Sequence, residues 1–412
     1  EFLKAIGSAL ILTDIMPFRY ARFEKNVLGP DAIASDKVAL RQEFESFLNA
    51  SMTEVKEGNK RGVYNTTEGF GRTDALARIG NIVFGVDMNI WNNLAPTDAP
   101  VRFPQIWDAS WFTWVQYNAS ISNPMARNIG EALGVKAVAK LHGCCADKLQ
   151  STVRFQNLWN LEKWLSGQAP YNMNGKDKYS KQAPSPGLIS PQWPDVFPMS
   201  EDEKKMAPLG KDLYKAHCEK CHLPPVEELK QQLASGKGPY WVKRDKAQPY
   251  PFLDNKEVPL EKIGTDPNQA LDFYNRNADS GDLKKGGLRA DEGLDYITKK
   301  MALNFYTEQK FSPIIQKEWS GWQEPLAVGI VAKKVYRPRP LNGAWALGTY
   351  LHNGSVPNLY ELLSPVSERS KVFWVGSRKF DIEKVGYESS KERKGLYRYD
   401  VTKPGNSNRG HE

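Results

Sequence analysis

The stretch Cys218-Glu219-Lys220-Cys221-His222 decides how this chain is read. Two thiols three residues apart on one turn reach the two vinyl groups of a single porphyrin and close thioethers. The His that follows then lies beneath the iron and supplies a nitrogen. The pattern predicts a covalently bound haem c held by Cys218, Cys221 and His222, with His222 on the iron. A zinc site needs four ligands, usually from a second Cys or His pair, and there is no second Cys-x-x-Cys. A dithiol redox motif needs a βαβ setting, for which the flanking pattern gives no sign. Upstream, Glu201 to His217 reads as a helix, with Met206, Leu209, Leu213 and Tyr214 along one stripe. Pro224 and Pro225 end it beyond the motif.

The far side of the iron is less determined. The chain has five histidines: His142, His217, His222, His352 and His411. His217 directly precedes Cys218 and points the wrong way. A haem that only carries electrons takes a ligand on both faces, whereas one that binds oxygen or peroxide keeps a face open. The candidates are His352 in a turn-rich loop, His411 near the end, a Met, or nothing. Cys144 and Cys145 are neighbours in sequence, and a disulfide between neighbours is strained. They are expected to be two thiols.

Composition bounds the rest. With 412 residues, 40% hydrophobic and 25% charged, the chain has room for two or three packed domains. The net charge of +8 comes from Lys and Arg scattered among 48 acids. No basic block is interleaved with aromatics, so nucleic acid is not an expected partner; an acidic redox partner fits better. No stretch reaches the ~20 apolar residues of a transmembrane helix; Ala5 to Met16 is too short and contains Asp14. The chain starts at Glu1 without Met and is expected to be a mature or trimmed chain. Haem c is attached outside the bacterial cytoplasm, so a periplasmic or secreted location is expected. Asp381 with Glu383, and Asp291 with Glu292, could be taken for acid pairs. Nothing sets either beside a nucleophile, and both are expected at the solvated surface.

Along the chain, helices are expected over Lys37 to Glu54, with Leu40, Phe44, Phe47 and Leu48 on one face, over Ala126 to Leu133, and over Val153 to Ser166. In the last, Leu158, Leu161, Trp164 and Leu165 form the expected packed side. Prolines 170, 184, 186, 191, 194 and 198 mark a linker or strap.

Further segments add a family likeness. They are Arg337-Pro338-Arg339-Pro340-Leu341-Asn342-Gly343, Tyr350 to Leu362, Val375-Gly376-Ser377-Arg378-Lys379-Phe380-Asp381, Gly69-Phe70-Gly71-Arg72-Thr73-Asp74-Ala75, Trp114-Val115-Gln116-Tyr117-Asn118, Met125 to Glu131, and Ile263-Gly264-Thr265-Asp266-Pro267. Together they resemble the diheme cytochrome c peroxidase superfamily, most closely the branch of rubber oxygenase and the bacterial diheme fatty-acid dioxygenases. The resemblance implies a mainly α chain with two cytochrome c-like haem domains, long loops and few short strands. Residues 1–166 would be the remainder of an N-terminal haem domain, 167–202 a Pro-rich linker, and 203–412 a C-terminal cytochrome c domain with an insertion at about 226–330. His411, in its Gly-His-Glu context, becomes the preferred second iron ligand, with His352 beside the pocket. The family's first Cys-x-x-Cys-His is not in this chain: either it lies upstream, with a second haem, or this homologue has lost it and an electron carrier remains.

The resemblance also implies a function: a dioxygenase acting on a small apolar substrate, an unsaturated hydrocarbon or lipid. Trp107, Trp111, Phe112 and Trp114 would wall the pocket, and Arg127 would stabilise bound oxygen. The alternatives are a peroxidase using peroxide, a small redox protein and Glu131 as acid–base group, and an electron-transfer cytochrome or subunit of a redox complex.

Overall fold

The computed structural model describes residues 2–167, 188–235, 238–283 and 286–411. The chain is mainly helical, and the strands of the described residues pair only in short two-stranded antiparallel ribbons. That agrees with the expectation of few short strands. Most of the expected linker, residues 167–202, lies outside the described residues. Of the remainder, Trp193–Val196 is a short helix. Trp193 and Phe197 pack their rings against Trp345 and Phe380, with centroids 5.2–6.2 Å apart.

The core is built around the helix Pro124–Gly134. Pro124 occupies its first turn, and the Asn123 side chain caps it by accepting the Ala126 N–H at 3.0 Å. Met125, Ile129 and Leu133, spaced by four, are fully buried. They meet Leu294, Ile297 and Met301 of the helix Ala290–Glu308, also buried. Gly134 permits the close approach of a third helix, Ala75–Gly80: a Cβ there would stand 2.7 Å from Ile79 Cγ1. The same buried cluster takes in Leu223, the residue that follows the haem motif, and Val226 and Leu229 beyond it. The motif is thus anchored directly to the main core.

Two acids pin the chain that returns past this core. Asp295 Oδ1 accepts the N–H groups of Gly329 and Ile330 at 2.8 and 2.9 Å, and Asp291 Oδ2 accepts that of Ala332 at 2.8 Å. The surface reading of Asp291 is therefore corrected. It is buried because its carboxylate takes a backbone donor and the Arg289 guanidinium.

The helices foreseen over Lys37–Glu54, Ala126–Leu133 and Val153–Ser166 occur as Ala34–Lys60, Pro124–Gly134 and Phe155–Ser166. Two faces differ. Phe44 and Leu48 are buried, Phe44 against the rings of Tyr20 and Phe23, but Phe47 is exposed. In Phe155–Ser166 the buried residues are Trp159, Glu162 and Ser166, while Leu161 and Trp164 face outward. Trp159 stacks on Trp319 at 4.9 Å and Glu162 pairs with Arg127, which turns the helix away from its leucine side. One large ring and one buried ion pair outweigh the apolar count.

Candidate haem-attachment site

The helix Glu201–His217 delivers the motif. Ser200 and Glu203 form a reciprocal capping box that fixes its start. Its bounds are those read from the sequence, but its apolar stripe is not packed: Met206, Leu209 and Leu213 are 60%, 61% and 52% exposed. Cys218 closes the helix, and a single further turn, Glu219–His222, carries the rest. The Cys221 and His222 N–H groups both donate to the Cys218 carbonyl, at 3.1 and 2.9 Å. This turn holds both thiols and the imidazole in one short arc. Cys218 and Cys221 are unlinked and half-buried. Leu223 then takes φ +65°, an unusual conformation for a branched side chain, while its own side chain is fully buried. Tyr214 braces the bend by donating its hydroxyl to the Leu223 carbonyl at 2.6 Å.

His222 Nδ1 lies 2.8 Å from the Arg339 carbonyl. A carbonyl only accepts, so Nδ1 carries the proton and Nε2 keeps its lone pair free for a metal. Burial lowers the affinity of His222 for a second proton, which keeps that lone pair available. Opposite it stands His411, with ring centroids 6.1 Å apart and planes at 29°. Two imidazoles across one first-row metal, each with a bond of about 2 Å, have ring centres roughly 6 Å apart. His411 keeps an exposed surface yet is crowded by protein, and the lost hydration pushes it down to about 4, with His222 and Arg369 adding to the effect. The donor set and its spacing therefore fit one iron between two neutral imidazoles, with two thiols at hand for thioethers.

The His411 segment has no helix to hold it and is tied down by side chains instead. Arg369 donates to the carbonyls of Asn408 and Gly410 at 2.6 and 2.9 Å. Asn353 donates to those of Gly405 and Ser407 at 3.0 and 2.9 Å, and Asp266 accepts the Ser407 N–H at 3.0 Å. Gly410, at φ +99°, is required: a Cβ there would overlap Thr265.

His352 is buried among other side chains, its ring 4.4 Å from that of Tyr336 and 5.9 Å from that of Tyr117. It is pushed down to about 3, first by burial and then by His411, Arg72 and Arg102. Phe112 carries the guanidinium groups of Arg337 and Arg339, each 4.9 Å from its ring centre. Trp107 and Trp111 donate their indole N–H groups to the carbonyls of Asn342 and Ser166 at 2.8 and 2.7 Å. Trp114 lies beneath Lys333 Nζ, 3.3 Å from its ring centre. Arg127 is ion-paired with Glu162, a residue only 1% exposed, and Glu131 follows one turn later on the same helix. Glu131 touches solvent yet is surrounded by protein, and the lost hydration raises its carboxyl. Arg127, Glu131 and Gln116 line a crevice of about 10 Å³, room for one water. Neither His222 nor His411 borders it. Cys144 and Cys145 have their Sγ atoms 3.2 Å apart and are not cross-linked.

Sequence reasoning missed Arg339 as the group that orients His222, and Arg369 as the clamp of the His411 segment. The paired arginines of Arg337-Pro338-Arg339-Pro340 were a visible signal. Their partners, backbone carbonyls distant in sequence, were not.

Comparison with known proteins bears on these residues in two ways. A family model described as RoxA-like, cytochrome c-like matches residues 335–374, which include Arg339 and His352. Two proteins of Sinorhizobium fredii (strain NBRC 101917 / NGR234) are similar to the chain. Uncharacterized protein y4iJ is 39% identical over 417 residues, covering all of this chain and 66% of its own length. Uncharacterized protein y4iM is 28% identical over 228 residues, 53% of this chain and 43% of its own. The chain thus spans just under two thirds of the longer match. With His222 of the attachment turn hydrogen-bonded to Arg339 of the matched segment, the findings support a RoxA-like, cytochrome c-like family for this chain.

Proposed function

We propose that this chain is a periplasmic or secreted c-type haem oxidoreductase. Cys218 and Cys221 would hold the porphyrin, and His222 and His411 would supply nitrogens to its iron. The observation that carries this is the 6.1 Å separation of two neutral imidazoles, one with Nδ1 already committed to the Arg339 carbonyl. Haem bound there supplies reversible one-electron exchange. The chain's own part is to fix both imidazoles, His222 through the Arg339 carbonyl and the His411 segment through Arg369, and to keep both rings unprotonated.

With both faces filled, this haem is the electron-handling one. Dioxygenase action on an unsaturated hydrocarbon or lipid belongs, in this reading, to a second haem held by sequence upstream, as in the rubber oxygenase branch that the chain resembles. Residues 1–166 then contribute to that haem's surroundings, with Arg127, Glu131 and Trp114 as the side chains nearest its chemistry. Glu131, beside Arg127 in the small crevice and with its carboxyl raised by lost hydration, is the residue that favours the peroxidase alternative, which needs an acid–base group.

The test is spectroscopic. Holo-protein is expected to give a low-spin spectrum, and His411→Ala a high-spin one with a new affinity for cyanide or imidazole, while His352→Ala leaves the spin state alone. A low-spin spectrum in His411→Ala that is lost in His352→Ala refutes the ligand assignment. Turnover of an unsaturated lipid with oxygen alone, against turnover only with peroxide and a reduced redox protein, separates the two enzyme readings.

A further inference from the structure

Around His352 lies a set of buried donors without acceptors. The Nε atoms of Arg102 and Arg339, Nη2 of Arg72 and the hydroxyl of Tyr117 are all shielded from solvent and make no hydrogen bond among the described residues. They belong together in space. Arg102 is paired in register with Arg72 and donates its backbone N–H to the His352 carbonyl at 2.9 Å. The Tyr117 ring is 5.9 Å from that of His352, and its carbonyl accepts the Arg337 N–H at 2.8 Å. Arg339 is the residue whose carbonyl orients His222.

Two features define what this set accepts. The three arginine atoms only donate and the Tyr117 hydroxyl can also donate, so an acceptor suits all four. Arg72, Arg102, Arg337 and Arg339 also form no ion pair with a carboxylate among the described residues. Arg72, Arg337 and Arg339 are buried, and Arg102 is half-buried with its Nε shielded from solvent; leaving a guanidinium unpaired in such a place is costly, and the guanidinium fork matches a carboxylate in two places. Arg72 and Arg339 already spend most of their donors on protein oxygens. The side chain of Arg102 spends none on the described residues.

We infer that Arg102, assisted by Tyr117 and the Nε of Arg339, binds the propionate carboxylates of the haem attached at Cys218 and Cys221. The inference rests on the haem reading above. The set adjoins the motif through Arg339, whose carbonyl holds His222, and through His352, which feels both Arg102 and His411. The carboxylate of a fatty acid would satisfy the same donors.

The experiment uses the holo-protein with Arg102→Leu, Arg102→Lys and Tyr117→Phe. Because the thioethers retain the haem, each variant can be read with haem in place. Removing the positive charge is expected to lower the midpoint potential, shift the pH at which that potential changes slope, and move the propionate bending band in the resonance Raman spectrum. Arg102→Lys should restore most of the potential but not the band, and Tyr117→Phe should move the band alone. An unchanged potential and band in both Arg102→Leu and Tyr117→Phe overturns the inference. So does an unchanged band in Arg102→Leu accompanied by a tenfold or greater loss of affinity for dodecanoate, which would assign the arginine to a substrate carboxylate. Wild-type protein without covalent haem would instead refute the haem reading itself.

Discussion

At the scale of single residues, the haem motif is held by a contradiction that Leu223 resolves. Its backbone sits at φ +65°, which costs energy for any residue but Gly, and its side chain is buried completely in the main core. The strain persists because the burial outweighs it. Leu223→Ala should therefore cost about 2–4 kcal/mol of stability, measured by denaturant unfolding. A cost near zero would mean that the turn is held by the Tyr214 hydroxyl alone. A second residue gives a pH signature. The buried carboxyl of Asp87 is pushed up to about 7, chiefly by lost hydration, against the Ala139 N–H bond that favours its charged form. Folding thus raises its proton affinity. Its contribution to stability is complete below the ordinary carboxylate range near pH 4 and is lost as pH climbs through 7. Asp87→Asn keeps the acceptor for Ala139 and cannot ionise. Its melting temperature should exceed that of the wild type by a few degrees at pH 8, with a smaller gap at pH 5. Equal gaps at both values would rule out the titration. At this scale the sequence was informative wherever chemistry is local. Cys218, Cys221 and His222 lie within five residues, and their roles follow from spacing. The Arg339 carbonyl accepts from an imidazole 117 positions away, and Arg369 donates to carbonyls 39 and 41 positions away; no local pattern encodes either.

At the scale of elements, helix positions were legible and helix faces were not. Glu201–His217 is bounded by a capping box and by the haem turn, both written in adjacent residues, so its ends could be read directly. Which side of a helix is buried depends on partners from other parts of the chain. Phe155–Ser166 turns its Trp159 and Glu162 inward because Trp319 and Arg127 wait there, against the preference of its leucines. The same contrast predicts two stabilities. Leu209, on the exposed stripe of Glu201–His217, should tolerate replacement by Lys within about 0.5 kcal/mol. Trp319, stacked on Trp159 and buried, should cost about 3–5 kcal/mol as Ala. Chemical denaturation of the two variants side by side would check this. A large loss in Leu209→Lys would show that the stripe is covered in the protein in solution.

At the scale of the whole molecule, the number of haems decides what the chain can do alone. The 412 residues contain one Cys-x-x-Cys-His, and on the proposed reading His222 and His411 would both be ligands of the haem it attaches. A six-coordinate haem passes electrons and does not open to oxygen without losing a ligand. Expressed by itself with a haem-attachment system, this chain should therefore give one haem per polypeptide by pyridine haemochrome assay. It should bind carbon monoxide poorly when reduced and consume no oxygen with an unsaturated lipid. A longer chain that supplies a second attachment motif should give two haems, and oxygen turnover should appear with the second. If the 412 residues alone turned over lipid with oxygen, the reaction would have to occur at the His222 haem, and His411 would have to leave the iron during the cycle. Turnover unchanged in His411→Ala would then identify the open face, and the division of labour between two haems would be wrong.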